Sequence, residues 1–240
     1  WFPFDGNAND ASGNGNHGTV HGATFGQDRH GMSGLHAGAL TFNAANHQYA
    51  EIPNAPQYSF GQGNFTTAMW LRGDSQPRVS TPFIKASNPN LPYEGITLFL
   101  DHGKVRGRTT HYAELVSIRS DLDSQQWHHV LMSRKGTDLT IYVDGIFDST
   151  RVDPLTNLTN PAPIVLGANH VNRQTQNFNG SIDEVRIYNR ALSASEVQAL
   201  YQLENTPPAD NNNGTSSPTD NNGTNPPNDG NTSNPNPYPP

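Results

Sequence analysis

Cysteine is absent from all 240 residues, which excludes a disulfide framework, a cysteine-ligated zinc and a thiol nucleophile. Hydrophobic residues are scarce, at 32%, where ordinary globular domains hold roughly 45–50% apolar residues with glycine counted. Either the core is thin or the chain joins two unlike materials. Positive charge is also short: 14 Lys+Arg stand against 21 Asp+Glu, for a formal net charge of -7. No Lys/Arg cluster exists to neutralise phosphates, so nucleic acid is not an expected partner. No stretch approaches the ~18 consecutive apolar residues of a membrane span. The sequence starts at Trp1 without an initiator Met or a leader, and reads as a mature or excised segment of something larger.

Glycine and proline are abundant but unevenly spread. Residues 204–240 hold 9 of the 19 Pro and 11 Asn, and only Ala209 and Tyr238 among them are hydrophobic. Such a segment cannot bury a core, and its Asn/Pro/Thr-rich composition is that of an extended disordered linker with polyproline character. It carries four acids (Glu204, Asp210, Asp220 and Asp229) and no base, so more than half of the net charge lies in it. The expected organisation is one domain over residues 1–203 and a linker over 204–240 that tethers it to neighbouring domains.

Within residues 1–203 the apolar residues form short alternating runs between Gly, Pro, Asn and Asp, the period-two pattern of half-buried strands. Phe65 to Arg72, Gly95 to Leu100, Trp127 to Lys135, Leu139 to Val143 and Ile182 to Tyr188 are the strongest. Asp144-Gly145 makes a two-residue hairpin turn into Ile146-Phe147. Weaker runs at 18–25, 39–42, 48–52, 82–85, 104–108, 112–118 and 163–166 bring the count to about a dozen. One helix is expected: Ser193 to Glu196 forms a capping box, Val197, Leu200, Tyr201 and Leu203 follow, and Pro207-Pro208 stops the chain. This is an all-β chain, a two-sheet antiparallel sandwich or jelly roll with one short C-terminal helix.

Several segments resemble, in order, the bacterial LamG-like, concanavalin A-like jelly-roll domains. They are Phe4-Asp5-Gly6-Asn7 with its Asn/Gly-rich continuation to Gly18, Gly38-Ala39-Leu40-Thr41-Phe42, Tyr49-Ala50-Glu51-Ile52-Pro53 and Asn64 to Trp70. Trp127-His128-His129-Val130, Tyr142-Val143-Asp144-Gly145 and Phe178 to Ser193 complete the set. The ordered set points to the fold. It is less specific for function, because this fold hosts lectins, glycosidases, polysaccharide lyases and adhesion modules. The resemblance also implies a structural calcium ion on the convex side, where the first strand meets the last. Calcium takes six to eight oxygen ligands from carboxylates and carbonyls, and the corresponding residues are Asp5, Gly38 through its carbonyl, and Asp183. Ile182 and Val185 are both apolar yet differ in parity, which calls for a bulge at Asp183-Glu184 that frees a carbonyl. The alternative is that Asp5 and Asp183 are turn and strand-end residues bonding only backbone amides. The segment from Asp10 to Asn16 is rich in oxygen donors but reads as a Gly/Asn hairpin turn.

No pattern for catalysis emerges. The ten His include no tight metal-ligand pair; His128 and His129 point to opposite sheet faces, and solvated surface histidines are expected. The Glu-x-Asp-x-x-Glu run of jelly-roll glucanases is missing, as is a Gly-x-Ser-x-Gly elbow. Arg106, Arg108, His111 and Tyr112 lie close enough together to keep a lyase-type proton transfer as a lesser alternative. Sugar recognition uses flat aromatic faces and planar polar side chains, and the outward-facing candidates are Arg72, Tyr93, Arg106, Arg108, His111, Tyr112 and Tyr142. Trp70 and Trp127 are expected in the core. The reading is a secreted or cell-surface, monomeric, non-catalytic module that binds a glycan. A protein-interaction or adhesion domain without a sugar ligand is the alternative.

Overall fold

In the segment from 138 to 152 the alternation works as expected. Leu139, Ile141 and Val143 point into the interior, while Thr140 and Tyr142 stay half-exposed. Asp144 (φ 52°) and Gly145 (φ 75°) both adopt the left-handed conformation that a tight hairpin turn requires. A Cβ on Gly145 would also sit 2.9 Å from the Tyr201 side chain.

These details come from a computed structural model that describes residues 1–31, 38–74, 79–87, 94–110, 114–169 and 172–206. Fourteen strands, numbered in chain order, form two seven-stranded antiparallel sheets. Across the first sheet the order is β1 (Thr19–His21), β4 (Tyr49–Ile52), β13 (Ile164–Leu166), β6 (Ser80–Ala86), β7 (Glu94–Asp101), β8 (Lys104–Thr110) and β9 (Glu114–Val116). Across the second it is β12 (Ile146–Val152), β11 (Asp138–Val143), β10 (Trp127–Lys135), β5 (Phe65–Gly73), β14 (Gly180–Tyr188), β3 (Ala39–Phe42) and β2 (Thr24–Gly26). The expected all-β sandwich with one C-terminal helix is what forms. The run at 18–25 divides into two strands in different sheets, with Gly22 at φ 77° between them.

The core lies between the sheets. Phe65, Met69, Leu71, Val130, Met132 and Ile182 of the second sheet meet Ile52, Phe83, Leu98, Leu100, Ile164 and Leu166 of the first. Helix α1 (Ala194–Asn205) packs on the outer face of the second sheet, where Val197 joins Ala68, Leu131 and Leu192 in a separate apolar cluster. Its capping box is complete: Glu196 N donates to Ser193 Oγ and Ser193 N donates to Glu196 Oε2.

Two corrections concern this helix and its surroundings. The compact unit runs to Thr206, not 203, because Glu204 belongs to the helix and is buried. Residues 207–240 lie outside the described residues. Trp70 is buried, but on the outer face of the second sheet against Tyr201 of the helix rather than between the sheets, and Trp127 is only half-buried.

Two buried cations pin loops to the sandwich. Lys85 Nζ donates to Asn54 Oδ1 (3.0 Å), Asn160 O and Oδ1 (3.1 and 3.2 Å) and Ala162 O (3.1 Å); burial lowers its pKa to about 8. Arg134 donates to the carbonyls of Gly61, Gly63 and Thr156. In a chain without disulfides, such fans of hydrogen bonds fix the long connections at 53–64 and 153–163.

Candidate functional site

The outer face of the first sheet carries a rim of planar polar side chains. Alternation along β7 and β8 sends Ile96, Leu98, Leu100 and Val105 inward and leaves Phe99, Asp101, Arg106 and Arg108 on the outside. Arg106 bridges Asp101 (2.5 Å) and Glu114 (3.0 Å), and Arg108 pairs with the other oxygen of Glu114 at 2.8 Å. The Arg108 guanidinium lies 5.1 Å over the Phe99 ring. The centre of the same face is closed: Ile84, Ala86, Val165 and Ala168 are fully buried, with Tyr49 packed against them and Arg173 over the Tyr49 ring.

Among the described residues, the sequence-derived ligand candidates do not converge on one place. Arg106 and Arg108 share the rim just described. Arg72 lies on the outer face of the opposite sheet, beside Trp127. Tyr142 also lies there, packed edge-on against Phe147 and against the helix cluster. Tyr93, His111 and Tyr112 lie outside the described residues.

Of the three residues named for a cation, Gly38 and Asp5 lie close together, and Asp183 is near enough to feel the Asp5 charge. Gly38 packs directly on the Phe4–Gly6 backbone: a Cβ there would lie 3.0 Å from the Phe4 carbonyl oxygen and 3.6 Å from Asp5 Cα. Phe4 and Gly6, on either side of Asp5, both have positive φ. β14 slips register against β5 between Asp183 and Arg186, with Glu184 at φ 51°, so the bulge expected at Asp183-Glu184 is present. It lets Ile182 and Val185 both face the core. Asp183 is buried, and its pKa is raised well above the usual carboxylate range, chiefly by desolvation and then by Glu184, with Asp5 acting in the same direction and Arg29 opposing. Both its oxygens have protein donors: Glu184 N on Oδ1 (2.8 Å) and Arg29 Nη1 on Oδ2 (2.7 Å). Among the described residues no group of three or more His, Cys, Asp or Glu is gathered for a metal. A cation here would draw on two carboxylates plus carbonyl oxygens, and would share Asp183 with Arg29. That donor set is all oxygen, which suits calcium rather than a softer ion.

Sequence reasoning missed the buried polar cluster under the end of α1. Glu204 accepts from Trp70 Nε1 (2.8 Å) and from Arg186 Nε, and its main-chain carbonyl accepts from Arg29 Nε (2.6 Å). Burial pushes the Glu204 pKa up to about 7 against the pull of Arg186. His129 is fully buried 5.4 Å from the Trp70 ring, and desolvation lowers its pKa to about 3. His128 is buried beside Asp144 at 3.0 Å. These two are therefore not the solvated histidines expected. For His129 no local signal could show this, because its covering residues Tyr201 and Glu204 lie far along the chain in α1.

Comparison with known proteins adds the following. A family model described as the concanavalin A-like lectin/glucanases superfamily matches residues 44–198. Adhesion G-protein coupled receptor V1 of Danio rerio is 25% identical over 185 residues, 69% of this chain but 3% of the receptor. The binding domain of Paraclostridial Mosquitocidal Protein 1 superposes with a TM-score of 0.66 at 19% identity, over 82% of this chain and 49% of that one. Domain 4 of AbnA, an extracellular GH43 arabinanase of Geobacillus stearothermophilus solved with arabinotriose, superposes with a TM-score of 0.62 at 20% identity. That match covers 84% of this chain and 96% of the arabinanase domain.

Proposed function

Since this chain belongs to the concanavalin A-like lectin/glucanases superfamily, we propose that it is a non-catalytic carbohydrate-binding module of a longer secreted or cell-surface protein. The observation that carries this reading is the likeness to an arabinanase domain crystallised with arabinotriose, which extends over nearly the whole of that domain. The geometry supports it. Arg106 and Arg108 are held in place by Asp101 and Glu114, so their remaining N–H groups are oriented before a ligand arrives and little side-chain entropy is lost on binding. Fixed planar donors beside an aromatic ring suit the vicinal hydroxyls of a sugar.

The test is a glycan array followed by titration of the best ligand into the wild-type chain and into Arg106→Ala/Arg108→Ala. Saturable glycan binding, weakened at least ~10-fold in the double variant, is the expected result. Silence across the array would leave the adhesion reading, which the match to an adhesion receptor favours.

A structural calcium ion is the second part of the proposal, held by Asp5, the Gly38 carbonyl and Asp183. It would neutralise Asp5 and Asp183, of which Asp183 is now paired with Arg29. Calcium should raise the melting temperature above its value in chelator, and Asp5→Asn should abolish the difference. Identical melting in calcium and chelator would mean that Arg29 alone balances Asp183.

A further inference from the structure

The register of the second sheet lines up one row of side chains across five strands. Trp127 of β10 lies opposite Arg72 of β5, Arg72 opposite Ser181 of β14, Ser181 opposite Thr41 of β3, and Thr41 opposite Thr24 of β2. Their strand neighbours Leu71, Ile182 and Leu40 face the interior, so the row lies on the outer face. Four inter-strand steps span about 19 Å at ~4.8 Å each. Thr24 is exposed and Trp127 and Thr41 are half-buried, while the Arg72 side chain keeps 37% of its surface. The row beside it, with Trp70 and His129, is the one sealed by α1.

Arg72 differs from the other described arginines. Each of those donates hydrogen bonds to a carboxylate or a carbonyl. The Arg72 Nε is ion-paired with Asp74 Oδ1 at 3.6 Å, beyond hydrogen-bonding distance, and is itself buried without a hydrogen-bond partner, so any ligand would meet the outer nitrogens of the guanidinium. Its guanidinium sits 5.9 Å over the Trp127 ring. Next to it the Ser181 and Thr41 hydroxyls are 2.9 Å apart; Ser181 is buried and Thr41 half-buried, so when Ser181 donates to Thr41 the Thr41 proton remains for an outside acceptor. An aromatic ring, a partly exposed guanidinium and three hydroxyls therefore follow one another across the strands, with the Asp74 carboxylate beside the row, two residues on from Arg72.

We propose that this row is a second saccharide-binding strip, on the opposite face of the sandwich from Arg106 and Arg108, that takes a linear neutral oligosaccharide laid across the strands. The ring of Trp127 stacks on one sugar, Arg72 donates to its hydroxyls, and Thr41, backed by the buried Ser181, and Thr24 meet the following units. The inference rests on the carbohydrate reading above but not on the rim proposed there.

Isothermal titration of the whole chain with arabinotriose, and separately with cellotriose, tests it. Two equivalents should bind to the wild type and one to Trp127→Ala or to Arg72→Met. Arg106→Ala/Arg108→Ala should also retain one. Tryptophan fluorescence should change saturably on addition of sugar, and Trp127→Phe should lose that change. Arg72→Met removes the donors while keeping the hydrophobic stem, so it remains informative if Trp127→Ala melts early. Unchanged stoichiometry and affinity in both strip variants would overturn the strip and leave the rim standing. One equivalent that disappears only in the strip variants would support the strip and remove the rim. No heat with either sugar in any variant would overturn the strip.

Discussion

Asp10 shows how one side chain can organise a loop that composition leaves ambiguous. Its carboxylate accepts from the Ser12 hydroxyl (2.5 Å) and amide (2.9 Å) and from the Asn16 amide (3.1 Å), so the oxygen-rich segment closes on its own donors as a turn. Burial works to raise its pKa, but the Ser12 and Asn16 donors outweigh it and hold it at about 2. A depressed carboxyl pKa contributes stability that is present above the unfolded value near 3.8 and lost as pH falls toward 2. Urea unfolding between pH 5 and 2 should therefore show a steeper loss for wild type than for Asp10→Asn; parallel curves would contradict this. Glu204 has the opposite sign. Its folded pKa of about 7 exceeds the ordinary glutamate value of 4.5, so its contribution is complete below about 4.5 and is lost as pH rises through 7. Arg186, Trp70, His129 and Glu184 surround it. Glu204→Gln should flatten the stability curve between about pH 4.5 and 7 relative to wild type. The composition of residues 204–240 assigned Glu204 to the linker, because its partners Arg186 and Trp70 adjoin it only through the fold.

At the level of single elements, local patterns were most informative where they conflicted with simple periodicity. Two apolar residues of opposite parity, Ile182 and Val185, require an extra residue in β14, and the register slip occurs there. The α1 cap was equally legible, since Ser193 and Glu196 satisfy each other within one turn. Removing the hydroxyl in Ser193→Ala should cost about 1 kcal/mol, read as a lower urea midpoint with an unchanged slope. A much larger loss would mean that Ser193 holds the helix to the sheet as well. The run at 18–25 was less legible. Period-two alternation marks a strand but cannot say that the chain leaves one sheet for the other at Gly22.

At the scale of the whole molecule, the strands that pair are often far apart in the chain: β5 lies between β10 and β14, and β3 pairs with β14. Closing such long loops before their contacts form is slow. Refolding followed by stopped-flow fluorescence should take milliseconds to seconds or longer, and a dominant microsecond phase would contradict that topology. The same long-range pairing separates what each level decides. The sequence by itself determined the all-β class, the hairpin at Asp144-Gly145, the capped helix and the bulge, because turn chemistry, capping and side-chain alternation act over a few residues. Only the tertiary structure decided that Arg106 and Arg108 share a rim while Arg72 joins Trp127 on the opposite face, and that Arg29 meets Asp183 across 154 positions. Such pairings depend on which strands become neighbours, and interior packing selects those neighbours. The low hydrophobic content of the whole chain thus averages a packed sandwich with an Asn/Pro-rich segment. In the absence of cysteine, buried cations such as Lys85 and Arg134 anchor the loops.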